Sequence, residues 1–76
     1  MNIKYEYTDT FCGVANYSWV KRGEFETARD TSDLSIIRRV KKELGLNGVR
    51  CKRDDLGDEI RLFPSGSCTV IFIYFS

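Results

Sequence analysis

The 76-residue chain has no histidine, one proline (Pro64) and no apolar run long enough to span a bilayer as a helix. A membrane helix needs ~20 consecutive apolar residues, so the short run near the C-terminus does not predict one. Without histidine there is no Cys–His or Ser–His nucleophile pair, and the commonest transition-metal ligand is missing. Cysteine is scarce too. Cys12, Cys51 and Cys68 are odd in number and lack C-x-x-C spacing, which makes a poor disulfide framework and an incomplete zinc set. They read as small buried hydrophobes. Cys51 lies between Arg50 and Lys52, but neighbours on a strand point to opposite faces, so those cations do not activate it. No glycine-rich phosphate loop is present; Gly13, Gly23, Gly45 and Gly48 read as turns or caps. The acids of "RDDLGDE" (Asp54, Asp55, Asp58 and Glu59) lack calcium-loop spacing and read as a solvated turn. The opening "MNIKYEYTDT" has no basic segment followed by an apolar one, so no signal peptide is expected and a cytoplasmic location is. No metal, cofactor or catalytic residue is predicted, and the chain is not expected to be an enzyme.

The residues present are those of a small folded domain spanning 1–76, with 42% hydrophobic, 13% aromatic and 30% charged residues. A chain of this size buries only roughly 60% of its unfolded surface, so bulky rings are valuable in its core. In "IKYEYT", Ile3, Tyr5 and Tyr7 alternate with Lys4, Glu6 and Thr8, the period of a half-buried strand. "DTFCG" reads as a turn region. "ANYSWVKR" reads as a strand with Tyr17 and Trp19 on one face, and Gly23 as a bulge or tight turn before a short strand in "EFETA". The strongest local pattern is helical. Asp30, Thr31, Ser32 and Asp33 suit a helix start; Ile36, Ile37, Val40 and Leu44 form one apolar stripe; Lys41, Lys42 and Gly45 suit its end. The helix is therefore predicted from about Asp33 to Leu44. "GVRCKR", "EIRLF" and "SCTVIFIYF" follow as a β-meander, separated by turns at Gly57 and in "PSGS". The predicted fold is α+β, a single helix on one face of an antiparallel sheet, in the order β-β(-β)-α-β-β-β.

One helix covers one face, so the other face is expected to be polar. Lys4 and Glu6, Arg50 and Lys52, and Glu59 and Arg61 fit that expectation. The last strand does not, since Ile71, Ile73 and Phe75 alternate with Val70, Phe72 and Tyr74 and both faces are apolar. Two explanations stand. The strand is central and its far face is shielded by the side chains of its neighbours. Alternatively, that face is an exposed patch for a partner or a second copy. On the second explanation the candidate contact anchors are Tyr17, Trp19, Phe72 and Tyr74.

Charge offers a different surface. The net charge is only +1, but Arg38, Arg39, Lys41, Lys42, Arg50, Lys52 and Arg53 face one acid, Glu43, within Arg38–Arg53, a local charge of +6 that leaves −5 elsewhere. If helix and strand adjoin, these cations are candidates for a nucleic-acid backbone. The stretches "YSWVKR", "LGLNGVRCKRDDLGD" and "PSGSCTVIFI" resemble small uncharacterised open reading frames of bacteriophages and prophages. That resemblance implies a short protein docking on a host protein in the bacterial cytoplasm, in some such cases inhibiting a defence complex, and it assigns no residue a role. The expected function is thus a non-enzymatic protein-interaction module, binding a partner protein or itself. Nucleic-acid-backbone binding through residues 38–53 is the alternative, and no membrane partner is expected.

Overall fold

The computed structural model describes residues 1–75. Strands β1 (Asn2–Phe11), β2 (Val14–Glu26), β3 (Cys51–Asp55), β4 (Glu59–Pro64) and β5 (Thr69–Phe75) form one antiparallel sheet, with a single helix, α1 (Asp33–Glu43), between β2 and β3 in the chain. The spatial order is β2-β1-β5-β4-β3. This is the α+β arrangement that the residue pattern predicts.

The all-apolar last strand lies at the centre of the sheet. In register, Ile71 sits between Tyr7 and Leu62, and Ile73 between Tyr5 and Ile60. These residues, with Ile3 and Phe25, make the layer onto which α1 packs Ile36, Ile37 and Val40. Ile3, Val40, Ile71 and Ile73 are wholly removed from solvent. At ~25 cal/mol per Å² of apolar area buried, this layer is the main stabilising feature of the chain.

The helix ends follow from local chemistry. Ser32 is the N-cap, and its Oγ accepts from the Ser35 backbone N–H at 3.2 Å. At the other end Gly45 takes φ +73°, which a residue with a Cβ resists. That turn lets the Gly45 N–H donate to the Lys42 carbonyl (3.2 Å) and the Leu46 N–H to the Lys41 carbonyl (2.7 Å). The pair is a Schellman motif.

Three local expectations are corrected. First, β1 continues through Phe11, and the turn is only Cys12-Gly13, with φ +53° and +79°. Such a two-residue turn matches the twist of a hairpin. Second, β2 runs unbroken past Gly23, so "EFETA" begins with the end of that strand rather than forming another. Gly23 lies opposite Tyr5, and a methyl group there would overlap the hydroxyl end of the Tyr5 ring; the glycine makes room for a ring rather than a bend. Third, Cys12 and Cys68 are exposed and only Cys51 is partly buried, so the thiols are not core residues. Burial pushes the Cys51 thiol up, and the nearby Lys41 only partly opposes this.

Candidate functional site

The sheet face away from α1 owes its shape to an irregularity in the β1–β2 pair. Thr8 pairs with Val20, but Thr10 pairs with Ala15, so Asn16 to Trp19 stand opposite Asp9 alone. The Asp9 carboxylate holds this surplus chain. It accepts from the Ser18 N–H (3.0 Å), the Ser18 hydroxyl (2.5 Å) and the Asn16 side-chain amide (3.0 Å). Those bonds, the Ser18 hydroxyl foremost, lower the Asp9 carboxyl to about 2. Beneath it the buried Thr8 hydroxyl donates to the Trp19 carbonyl at 2.7 Å.

Within the bulge Tyr17 has φ +53°, and this reversal separates the two aromatic residues expected to share a face. Trp19 packs edge-on against Tyr7, at 5.0 Å between ring centroids and 70° between planes. Tyr7 is opposite Ile71, so this pair lies on the helix side. Tyr17 instead turns to the open face, where its hydroxyl donates to Glu6 at 3.2 Å. Of the four predicted anchors, the structure gathers Tyr17, Phe72 and Tyr74 and places Trp19 elsewhere.

Phe72 is not the exposed anchor that was anticipated. It is 9% exposed, and Val70 beside it is buried. The tip of the β1–β2 hairpin borders a cavity of about 290 Å³ with these two residues, Arg61 and Phe63. Tyr74 stacks on Phe72 (6.3 Å, 17°), and the Arg61 guanidinium sits 5.4 Å from the Phe72 ring centre. The shielding explanation therefore accounts for Val70 and Phe72. Tyr74, at 36% exposure, and Tyr17, at 46%, remain open to a partner.

These two tyrosines meet at Glu6, a residue not singled out from the sequence. Glu6 accepts from Arg22 Nε at 2.6 Å on one oxygen, and from Tyr17 and, more weakly, Tyr74 (3.5 Å) on the other. Burial and then the Glu6 charge raise both tyrosines, Tyr74 to about 12. Alternation marks Glu6 as facing away from the helix, but nothing local pairs it with Arg22, because that register depends on the bulge. Beside this cluster is an open cavity of about 570 Å³, walled by Lys4, Glu6, Arg22, Glu24 and Tyr74 and floored by Tyr5 and Gly23. Glu6 divides both oxygens among three donors, an arrangement suited to holding a surface rigid.

The basic segment is dispersed. Arg39 pairs with Glu43 (3.1 Å) and lies 4.1 Å above the Phe25 ring. Arg53 bonds Asp55 (2.6 Å) and Asp33 (3.3 Å), which places it on the helix side. Lys52, its neighbour on β3, points to the other face by strand alternation. Lys41 is partly buried beside Cys51. Arg38, Lys42 and Arg50 are exposed, with no acidic partner within 4.0 Å among the described residues. Of the acids expected in a turn, Asp54 and Asp55 lie in β3 and Glu59 in β4, leaving Asp58 between the strands; Arg61 engages Glu59 and Arg53 holds Asp55, so the group is partly neutralised. Among the described residues, no three His, Cys, Asp or Glu side chains gather where a metal ion could sit. No described helix is long and apolar enough to cross a membrane. Comparison with protein families, with characterised proteins and with solved structures finds no match to this chain.

Proposed function

We propose that the chain is a non-enzymatic protein-interaction module whose contact surface is the open face of the sheet. The carrying observation is the pair of solvent-accessible rings, Tyr17 and Tyr74, whose hydroxyls converge on one carboxylate already held by Arg22. Rings fixed before binding lose little rotamer freedom when a partner arrives, and tyrosine is among the side chains that most often supply interface energy. Lys4, Arg22, Glu6 and Glu24 around them provide both signs of charge for matching polar groups on the partner. The resemblance to phage reading frames favours a bacterial host protein as that partner.

The test compares the wild-type chain, Tyr17→Ala with Tyr74→Ala, and Arg38→Ala with Lys42→Ala and Arg50→Ala. Each is immobilised against a bacterial lysate at low and moderate salt, with circular dichroism as a check on folding. Capture of a specific protein that survives the salt change, is lost in the tyrosine variant and is kept in the basic-residue variant supports the reading. Binding to duplex DNA that falls steeply with salt and is lost in the basic-residue variant replaces it with nucleic-acid-backbone binding.

A further inference from the structure

The outer strand β2 has a free edge whose hydrogen-bonding groups can be assigned. Met1 and Thr27 exchange both backbone hydrogen bonds, Thr27 N–H to the Met1 carbonyl at 3.0 Å and the Met1 amine to the Thr27 carbonyl at 2.9 Å. The register continues without a break from Asn2↔Glu26 to Thr8↔Val20. Bonded and non-bonded pairs alternate along an antiparallel ladder, so Phe25, Gly23 and Lys21 also bond to β1. Val20, Arg22, Glu24 and Glu26 therefore direct their N–H and C=O groups away from the sheet. Among the described residues the sheet ends at β2, with no strand beyond it in the order.

A bare edge of this length is a template for another strand, and its charges decide which strand fits. From Val20 to Glu26 it reads V-K-R-G-E-F-E, with cations before the glycine and anions after it. Two copies paired antiparallel about a two-fold axis through Gly23 set Arg22 opposite Glu24 of the second copy and Glu24 opposite its Arg22. Val20 then faces Glu26, and Lys21 faces Phe25. The outward-directed residues are thereby the ones that exchange hydrogen bonds, as the ladder requires. A slip by one residue would exchange the sheet faces. A slip by two residues sets Arg22 against Arg22 or Glu24 against Glu24, and like charges directly opposite are destabilising. The other outer strand, β3, lacks this property. Each face-matched register centred within Lys52–Asp55 sets a charged residue against its own copy.

We infer that the partner of the β2 edge is a second copy of this chain, joined through Val20–Glu26 in the Gly23-centred register to make a continuous sheet. The inference deepens the protein-interaction reading and rests on it. Arg22 and Glu24 of this strand also line the open cavity, so pairing brings two such cavities onto one continuous sheet, one on each side of the axis.

Light scattering after size exclusion tests this across a dilution series. The wild-type chain elutes at twice the chain mass and falls to one chain mass on dilution, as a short edge contact implies. Glu24→Lys elutes as a monomer, because it sets Arg22 and the new lysine against each other across the axis. Adding Arg22→Glu to that chain restores complementarity and the dimer. Glu24→Pro removes one outward N–H and the Asn2 side-chain bond to Glu24 while leaving the backbone bonds to β1 intact, and it also elutes as a monomer with unchanged helical dichroism. A wild-type monomer at every concentration overturns the inference, as does a dimer that Glu24→Pro leaves intact. If the dimer is instead lost in the Tyr17→Ala, Tyr74→Ala variant and kept in Glu24→Pro, the edge inference fails while the open-face reading stands. If the edge dimer forms and no variant alters capture of a host protein, the open-face reading fails alone.

Discussion

The two faces of β5 are made of similar residues and are covered by different means. On one side Ile71 and Ile73 lie under a regular helix, sealed by aliphatic residues and by the rings of Tyr5 and Tyr7. On the other, Val70 and Phe72 are covered by a tyrosine ring, an arginine and the tip of a curled hairpin. An α-helix rises only 1.5 Å per residue, so the helix available spans ~16 Å and has one apolar stripe to offer. A small domain with a two-sided apolar strand must cover the second side with side chains. Those side chains remain partly accessible, and the second face becomes a surface that other molecules can read.

The contrast is broken most directly by truncation on each side. Ile73→Ala leaves a void in the sealed layer and costs about 3 to 4 kcal/mol, which for a chain of this size abolishes cooperative unfolding in urea. Phe72→Ala costs less than Ile73→Ala, because its surroundings relax toward solvent, and far-UV dichroism stays native. Equal losses would mean that the two faces are one core. Thr8→Val keeps the shape of the buried residue but leaves the Trp19 carbonyl without its donor, a loss of about 1 kcal/mol, read from the same urea curves.

Two pH effects sharpen the comparison further, and both belong to the open face and its bulge. The Asp9 carboxyl titrates near about 2 in the folded chain and in the ordinary carboxylate range when unfolded. The unfolded state therefore takes up its proton first as pH falls. The Asp9 contribution is complete above pH ~4 and is lost as pH falls toward 2, so Asp9→Asn flattens the acid limb of stability against pH. Tyr74 runs the other way. Its folded value of about 12 exceeds the ordinary tyrosine value, so its contribution is complete below pH ~10 and is lost as pH rises toward 12. An ultraviolet phenolate titration shows Tyr74 ionising late, with Tyr17 also raised, and Glu6→Gln brings both partly back because burial, the larger cause, remains.

Much of the sealed side is legible in the residues themselves. Ser32, the Ile36–Ile37–Val40 stripe and Gly45 specify the helix by local rules, and Ile3, Tyr5, Ile60 and Leu62 alternate as core strands should. The open side is less legible because its determinants are tertiary. Tyrosine has no preference for a left-handed backbone, so the reversal at Tyr17 is imposed by the bonds that Asp9 makes to Ser18 and Asn16. Without that reversal, Tyr17 and Trp19 read as neighbours on one face. Gly23 signals a break in sequence, yet its purpose is to clear space for a ring one strand away. The dispersal of the basic segment is half legible, since alternation separates Lys52 from Arg53. The approach of Asp33 to Arg53 is visible only once helix and sheet are assembled.

The clasp at Asp9 also means that the hairpin is not counted out residue for residue along its whole length. The register from Asn2 to Thr8 and the pairing at the tip lie on either side of the bulge, which absorbs the three-residue offset between them. Residues added between Asn16 and Ser18 would change what the open face displays, while every strand kept its neighbour and the layer beneath the helix kept its fit. In this chain the part that can vary in length and the part that folds the protein are separated by a single carboxylate.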